Sequence, residues 1–354
     1  MIKYIGSKRV LIPRILGTIR ALPDVHAVLD LFSGTSRVGH ALKRAGYSVT
    51  ANDHNTYAYA LACCYVQADR DSILHDAQRL LRELAVLPPA PGYFTEVFCV
   101  RSRFFHPKNG ARIDAIRERI AQLSLDPDLQ AVLLTSLMEA ADRVDSTAGL
   151  QMAYLKDWAP RALNDLELRL PHVLPGPGKA CQIEAIDAAR TIAADLAYVD
   201  PPYNQHSYMG NYHIWESLIR WDKPETYGTA CKRIQCKEYK SDFNSKVRIH
   251  RALADVIGAL RAKYLLVSFN NEGYVSREEM EALLRHRGQV LVIEIDFKRY
   301  VGAQIGIYNP KGEKVGKIDH LRNKELLYLV SKDDVALKKV AAMVAPPDGQ
   351  LGLF

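Results

Sequence analysis

The chain has 354 residues and carries 47 Lys and Arg against 40 Asp and Glu, a formal excess of +7. With 48% apolar and 25% charged residues, it has the make-up of an ordinary folded chain, which excludes long disorder, collagen-like repeats and low-complexity filaments. The mild positive excess points to an anionic partner, without separating nucleic acid from acidic metabolites or a membrane surface.

Residues 1–20 carry scattered basic residues and no apolar run ending at a small-residue cleavage site, so no signal peptide is expected. Nowhere do eighteen apolar residues run uninterrupted, so no membrane-spanning helix is expected either. Six cysteines, Cys63, Cys64, Cys99, Cys181, Cys231 and Cys236, are few for this length and fit free thiols in the cytoplasm. Cys231 and Cys236 have no second Cys or His pair beside them, so no metal site is expected.

In chain order, Leu11, Ile12, Ile15, Leu16 and Ile19 predict a helix over 10–22. Residues 27–32 (AVLDLF) read as a buried strand and 33–36 as a turn. Val38 to Ala45 reads as a helix with Gly46 at its stop. Residues 47–53 form a second strand ending in Asp53, and this βαβ unit predicts a parallel sheet. Residues 57–88 read as helical, and Pro88, Pro89, Pro91 and Gly92 break the chain. The pattern then stays helical to about residue 175, clearest at 113–123 and 129–144. A second break follows at 173–178, and strands resume at 196–200, 264–269, 289–297 and 325–330. The expected organisation is an α/β sheet domain from 1–70 and 180–335, a helical insertion over 71–179, and a loosely held tail over 336–354.

Three places can carry chemistry. The first is Asp30 to Gly39 with Asp53 beyond it. Small residues between strand and helix let a ligand approach backbone N–H groups, and an acid some twenty residues on can accept from ribose hydroxyls. The loop lacks the regular glycine spacing of a pyrophosphate site. That tilts the reading from a dinucleotide, and from a nicotinamide-dependent dehydrogenase, toward a nucleoside ligand such as S-adenosylmethionine. The alternative is a plain tight turn. The second is Asp200-Pro201-Pro202-Tyr203-Asn204 after an apolar strand. The prolines fix the backbone and remove donors, leaving the Asp200 carboxylate and the Pro201 carbonyl as acceptors for a planar amino group. Tyr203 offers a face on which a base can stack. Accepting from both N–H groups of an adenine N6 frees its lone pair for attack. The third is Lys3-Tyr4-Ile5-Gly6-Ser7-Lys8, which alone would be a basic tail with a loop glycine.

Together the three motifs resemble the Dam-type N6-adenine DNA methyltransferases, in the order that inserts the recognition domain before the catalytic motif. Further likeness lies in Asn211-Tyr212-His213 with Trp215-Glu216, in Tyr239 to Phe243, in Ser268 to Gly273 and in 147–156. It extends to about residue 332. One departure is Ser36, where many members carry glycine. The resemblance implies a Rossmann-like S-adenosylmethionine-dependent methyltransferase fold with an inserted, mainly helical target-recognition domain. It also implies double-stranded DNA as substrate and no membrane partner. Tyr4, Gly6 and Ser7 would line the methionine end of S-adenosylmethionine, with Lys8 near the target base. Asp30, Phe32, Ser33, Gly34 and Thr35 would form the cofactor pocket and Asp53 would hold the ribose. Asp187 would contact the cofactor adenine, with Glu184 as the other choice. Asp200, Pro201, Pro202 and Tyr203 would hold the target adenine, with Asp200 also against the cofactor.

That adenine must be flipped out of the duplex, and the reaction then needs alignment and preorganised acceptors rather than a covalent nucleophile. No Pro-Cys pair occurs in the chain, which argues against cytosine C5 chemistry. Candidate DNA contacts are Arg101, Arg103, Lys108 and Arg112 in one stretch, and Lys240 and Lys246 in another with Lys232, Arg233, Lys237, Arg248 and Arg251. A third group, Lys311, Lys314, Lys317, Arg322 and Lys324, lies near a possible hairpin. Phe104 and Phe105 read as core residues. The same catalytic motif also suits cytosine N4 or RNA adenine, and a catalytically idle DNA-binding protein is the alternative of another class. The resemblance implies a role in restriction-modification or as an orphan methylase, and whether the chain has a restriction endonuclease partner is not inferable from these residues.

Overall fold

The computed structural model describes residues 1–270, 273–298, 307–308, 314–316 and 322–344. The predicted βαβ start is present. Helix α1 (Ile12–Arg20) leads to β1 (Ala27–Asp30), α2 (Arg37–Arg44) and β2 (Ser48–Asn52). Helix α3 (Thr56–Ala62) runs into a π turn over Cys63–Gln67. Four helices follow without a strand: α4 (Arg70–Ala85), the single turn α5 (Tyr93–Thr95), α6 (Pro107–Gln122) and α7 (Pro127–Arg143). Three of them start where the chain supplies a cap. Asp69, His106 and Asp126 each accept a backbone N–H of the first turn, and a proline opens α6 and α7.

The chain returns through β3 (Lys179–Cys181), α8 (Ala185–Thr191) and β4 (Ala193–Val199), then α9 (Tyr208–Asn211) and α10 (His213–Arg220). A small ribbon, β5 (Thr226–Tyr227) with β6 (Lys232–Arg233), precedes the turn α11 (Gln235–Glu238) and α12 (Ile249–Ala259). Strand β7 (Arg261–Asn270), α13 (Arg277–Arg285) and β8 (Gln289–Lys298) come next. Strands β9 (Ile307–Tyr308) and β10 (Lys314–Gly316) pair as the expected hairpin. Finally come β11 (Arg322–Ser331) and α14 (Asp334–Val344).

Seven strands form one sheet in the order β3-β2-β1-β4-β7-β11-β8. All are parallel except β11, which is antiparallel to both of its neighbours. The alternation of side chains divides the core in two. Val28, Leu196, Tyr198, Leu266 and Leu329 face α1, α2 and α14, while Leu29, Ala197, Val199, Val267 and Tyr328 face α8, α12 and α13. This is a Rossmann-like three-layer sheet. Its strand order reverses between β1 and β4, which opens a crevice at their C-terminal ends.

Two boundaries differ from the sequence expectation. The helical core does not stop at residues 71 and 179, because Ile2, Tyr57, Leu61, Cys64, Trp215, Leu218 and Ile219 share one buried cluster with α4, α6 and α7. The tail expected over 336–354 begins as a helix, with Ala336, Leu337, Val340 and Ala341 buried against the sheet; residues 345–354 lie outside the described residues. Among the described residues no helix is long and apolar enough to cross a membrane. Phe104 and Phe105 are fully buried, as expected.

Gly178 brings the returning chain against the π turn. A Cβ there would lie 2.3 Å from the Val66 carbonyl oxygen and 3.0 Å from its carbon, and backbone cannot swing aside. Gly178→Ala is therefore expected to cost about 1–3 kcal/mol, read as a lowered urea midpoint at unchanged slope.

Candidate active site

The crevice is lined from six stretches of chain, two of them Ile183 to Ala185 and the segment from Tyr239 to Asn244. Tyr4, Gly6, Ser7 and Lys8 come from the N-terminus, and Asp30 to Thr35 from the β1 turn. Asn52 to Asn55 follow β2, and Asp200, Pro202 and Ser207 to Met209 follow β4. With its open mouth it encloses about 1020 Å³.

The β1 turn is built by backbone conformation. Gly34 has φ +52°, and a Cβ on it would meet the Tyr4 ring at 3.2 Å. Ser36 has φ +56°, the left-handed region glycine occupies without cost. The departure noted from the sequence therefore carries a strain of about 1–2 kcal/mol. Asp30 is buried, and one of its oxygens accepts the Gly39 N–H at 3.0 Å, tying the strand end to the first turn of α2. Burial, with Asp200 and Asp53 adding, pushes the Asp30 carboxyl up to about 7.

Asp53 organises the next turn. Its Oδ2 accepts the Gly34 N–H at 2.9 Å, and its Oδ1 accepts the Asn55 N–H at 2.9 Å and the Asn55 amide at 3.1 Å. Burial raises its carboxyl above the usual range while these donors oppose the rise. Each oxygen keeps lone-pair capacity toward the crevice.

Tyr4 lies in an aromatic stack. Its ring is 4.6 Å from Tyr212 and 5.2 Å from Tyr208, nearly parallel to both, and its hydroxyl pairs with Tyr57 at 3.2 Å. Lys3 points away, its Nζ 2.8 Å from Asp145, and so anchors the N-terminal segment to the end of α7.

Lys8 and Asp200 meet at the floor. Lys8 is 6% exposed, with Nζ 3.1 Å from Asp200 Oδ1. The same ammonium also pairs with Glu325 on β11. Burial works against the lysine charge, yet Asp200 and Glu325 outweigh it and lift its pKa well above the usual range. Burial, opposed by Lys8 and helped by Glu325, pushes the Asp200 carboxyl up to about 6.

The loop after Asp200 is held from outside. Asn244 donates its side-chain amide to the carbonyls of Asn204 and His206, at 2.7 and 3.1 Å, and the Tyr274 N–H reaches the Tyr203 carbonyl at 2.9 Å. Pro201 is buried, and Pro202 is the proline that lines the crevice. The Tyr203 ring rests 5.2 Å from Phe269.

Several expectations are corrected. Asp187 does not line the crevice; it sits exposed on α8 with its carboxylate 3.9 Å from Arg190. The residues that do line it there are Ile183, Glu184 and Ala185, with Glu184 accepting from His54 at 3.0 Å. Arg112 donates to the carbonyls of Leu87 and Ala85 and so closes the end of α4. Lys108 is paired with Asp165 at 2.8 Å, and Arg103 lies 4.6 Å over the Trp158 ring. Arg233 is fully buried against Asp222. Arg112 and Arg233 serve the fold, whereas Lys108, like Arg101, Lys240 and Lys246, is exposed. Of the third basic group, Lys311 and Lys317 lie outside the described residues, as do the side chains of Lys314 and Arg322; Lys324 pairs with Glu294 at 2.8 Å.

Sequence reasoning missed Glu325, Ser268, Tyr208, Asn244 and Phe243. Phe243 meets Phe32 edge-on at 5.1 Å across the crevice. The run from Tyr239 to Phe243 was the signal for the last of these. Glu325 had none, being an ordinary-looking acid in an apolar strand.

Three acids and two aromatic faces around one crevice fit S-adenosylmethionine. Asp53 can take ribose hydroxyls, Phe32 and Phe243 can hold a purine, and buried carboxylates suit a sulfonium cation. A family model described as D12 class N6 adenine-specific DNA methyltransferase matches residues 4–283. The Type II methyltransferase M.NlaIII of Neisseria lactamica is 30% identical over 311 residues, which cover 85% of this chain and 88% of that protein. Modification methylase StsI of Streptococcus sanguinis is 29% identical, with 84% of this chain and 48% of that protein covered. For the Type II methyltransferase M.FokI of Planomicrobium okeanokoites the identity is 31% and the shares are 81% and 47%. The chain thus spans about half the length of the last two relatives.

Proposed function

This chain belongs to the D12 class N6 adenine-specific DNA methyltransferases, and from that premise we propose that it methylates N6 of an adenine flipped out of double-stranded DNA. The observation that carries this reading is the Asp200 carboxylate, half-buried at the end of β4 in the crevice that also holds Asp53. S-adenosylmethionine, when bound, supplies an electrophilic methyl group on a sulfonium. Tyr4, Gly6 and Ser7 hold its methionine end, Asp53 its ribose, and Phe32, Phe243 and the Ile183–Ala185 turn its purine.

Asp200 accepts an N6–H of the target, and the Pro201 carbonyl takes the other. Tyr203 stacks on the base. The two acceptors draw the nitrogen lone pair out of the ring and hold it in line for attack. As N6 bonds to the methyl carbon and the carbon–sulfur bond breaks, leaving a neutral thioether, positive charge grows on N6, and the fixed carboxylate stabilises it without reorganising. N6 then sheds one proton, and Asp200 is the nearest acceptor. The helical segment 71–179 is proposed as the target-recognition element, with Arg101, Lys240 and Lys246 on phosphates. The relatives are named modification methylases and Type II methyltransferases, and the same modifying role in a cytoplasmic restriction-modification setting is proposed for this chain.

Incubation with duplex DNA and labelled S-adenosylmethionine, followed by nucleoside analysis, tests the reading. N6-methyladenine at a single sequence context is the expected product. Label on cytosine N4, or on RNA alone, would overturn it, and DNA binding without label would favour an idle binder.

A further inference from the structure

Glu325 lies beyond residues 4–283, the span matched by the family, yet it sits in the catalytic floor. Three adjacent strands bring this about. Strand β4 pairs with β7 in parallel, Val199 opposite Val267, so that Ser268 falls beside Asp200. Strand β11 runs antiparallel to β7, with Leu327 opposite Ser268 and Glu325 opposite Asn270. Alternation puts Asp200, Ser268 and Glu325 on the sheet face that carries Tyr198, Leu266 and Leu327. Lys8 reaches this group from the N-terminal segment. Glu325 is 4% and Ser268 0% exposed. One oxygen, Oε1 of Glu325, accepts both the Lys8 ammonium and, at 2.8 Å, the Ser268 hydroxyl.

We propose that Glu325 is a positioning residue for methyl transfer: it anchors the Lys8 ammonium so that Lys8 grips one oxygen of Asp200 and leaves the other for the substrate amine. A lysine stem is flexible and its ammonium has three donors. With a single carboxylate partner it could slide to either oxygen and compete with the amine. A second carboxylate on a central strand fixes its direction, and the Ser268 hydroxyl fixes that carboxylate in turn. This inference rests on Asp200 being the acceptor for the target amine.

Glu325→Gln keeps the shape and the Ser268 contact while removing the charge. The expected result is a fall in kcat of about 10- to 100-fold, as for other groups that orient a ligand from behind. Affinity for S-adenosylmethionine and for DNA should stay within about twofold, the residues that bind them being untouched. The acidic limb of the kcat profile should move to lower pH, because a negative neighbour of Asp200 has gone. A double-mutant cycle with Lys8→Met, read by single-turnover rates, supplies the decisive comparison. If Glu325 acts through Lys8, adding Glu325→Gln to Lys8→Met costs nothing more. Additive losses, an unchanged kcat, or a limb that stays in place while melting temperature and cofactor affinity drop would overturn the proposal. Should Glu325→Gln fail to fold, Ser268→Ala is the milder probe. It is expected to lower kcat severalfold at unchanged cofactor affinity, and an unchanged kcat would overturn the proposal. Full activity of Asp200→Ala would instead sink the reading of the site itself.

Discussion

Asp200→Ala is expected to lower kcat by about 10³-fold, the scale for removing one preorganised electrostatic partner of a developing charge, while DNA binding stays close to that of the parent. The reason lies in where the carboxylate stands. It is half-buried at a strand end, held by Lys8 at 3.1 Å, and in the proposed mechanism it touches only the reacting amine. DNA affinity comes from phosphate contacts elsewhere, so a gel-shift assay should barely move while transfer of labelled methyl collapses. A normal rate of adenine methylation by this variant would refute the assignment.

The parent's pH profile belongs to the same prediction. The carboxyl of Asp200 is pushed up to about 6 from an ordinary 3.8, and only the carboxylate can accept an N6–H. Activity should therefore fall as pH drops through about 6. The linked stability effect has the opposite sign. A carboxyl whose pKa is raised by folding favours the folded state when protonated, fully so below its unfolded pKa, and that contribution is lost as pH rises through about 6. Loss of activity near pH 6 should thus occur without loss of structure at this site. Circular dichroism recorded across the same range separates the two effects.

The second large effect is expected at the cofactor. Asp53→Ala should weaken S-adenosylmethionine binding by at least about 100-fold. Two ribose hydroxyls would each lose a hydrogen bond to a charged group, worth about 1.5–3 kcal/mol apiece, and every 1.4 kcal/mol is about tenfold in affinity. The Gly34 N–H and the Asn55 amide also lose the acceptor that shapes the turn. Isothermal titration with S-adenosylmethionine measures this directly. A dissociation constant within about threefold of the parent would show that the ribose is held elsewhere.

Much of this architecture was legible because it is local. Continuous apolar runs around 27–32, 196–200 and 264–269 read as strands, since a sheet covered on both faces buries successive side chains. The turn at 33–36 and the proline pair after Asp200 are conformations short segments fix for themselves. Pairing was harder to read. Charge pattern could not tell the exposed Lys240 and Lys246 from Arg112, which caps α4, or from Arg233, which is buried against Asp222. The helix over 334–344 was taken for the start of a loose tail, because its apolar stripe gains meaning only from the sheet it covers.

Local pattern along the chain is enough to place the βαβ start, the helical character of the middle segment, and the acids and the aromatic proposed for the site at Asp53, Asp200 and Tyr203. Tertiary structure alone decided which partners those groups have. Strand β11 enters antiparallel between β7 and β8, and that choice sets Glu325 against Lys8, 317 positions away in the chain. It likewise placed Glu184, and not Asp187, at the wall of the crevice. The physical reason is that periodicity and turn propensity act over a few residues. The neighbours that tune a buried charge are assembled by sheet order, which no short stretch of chain carries.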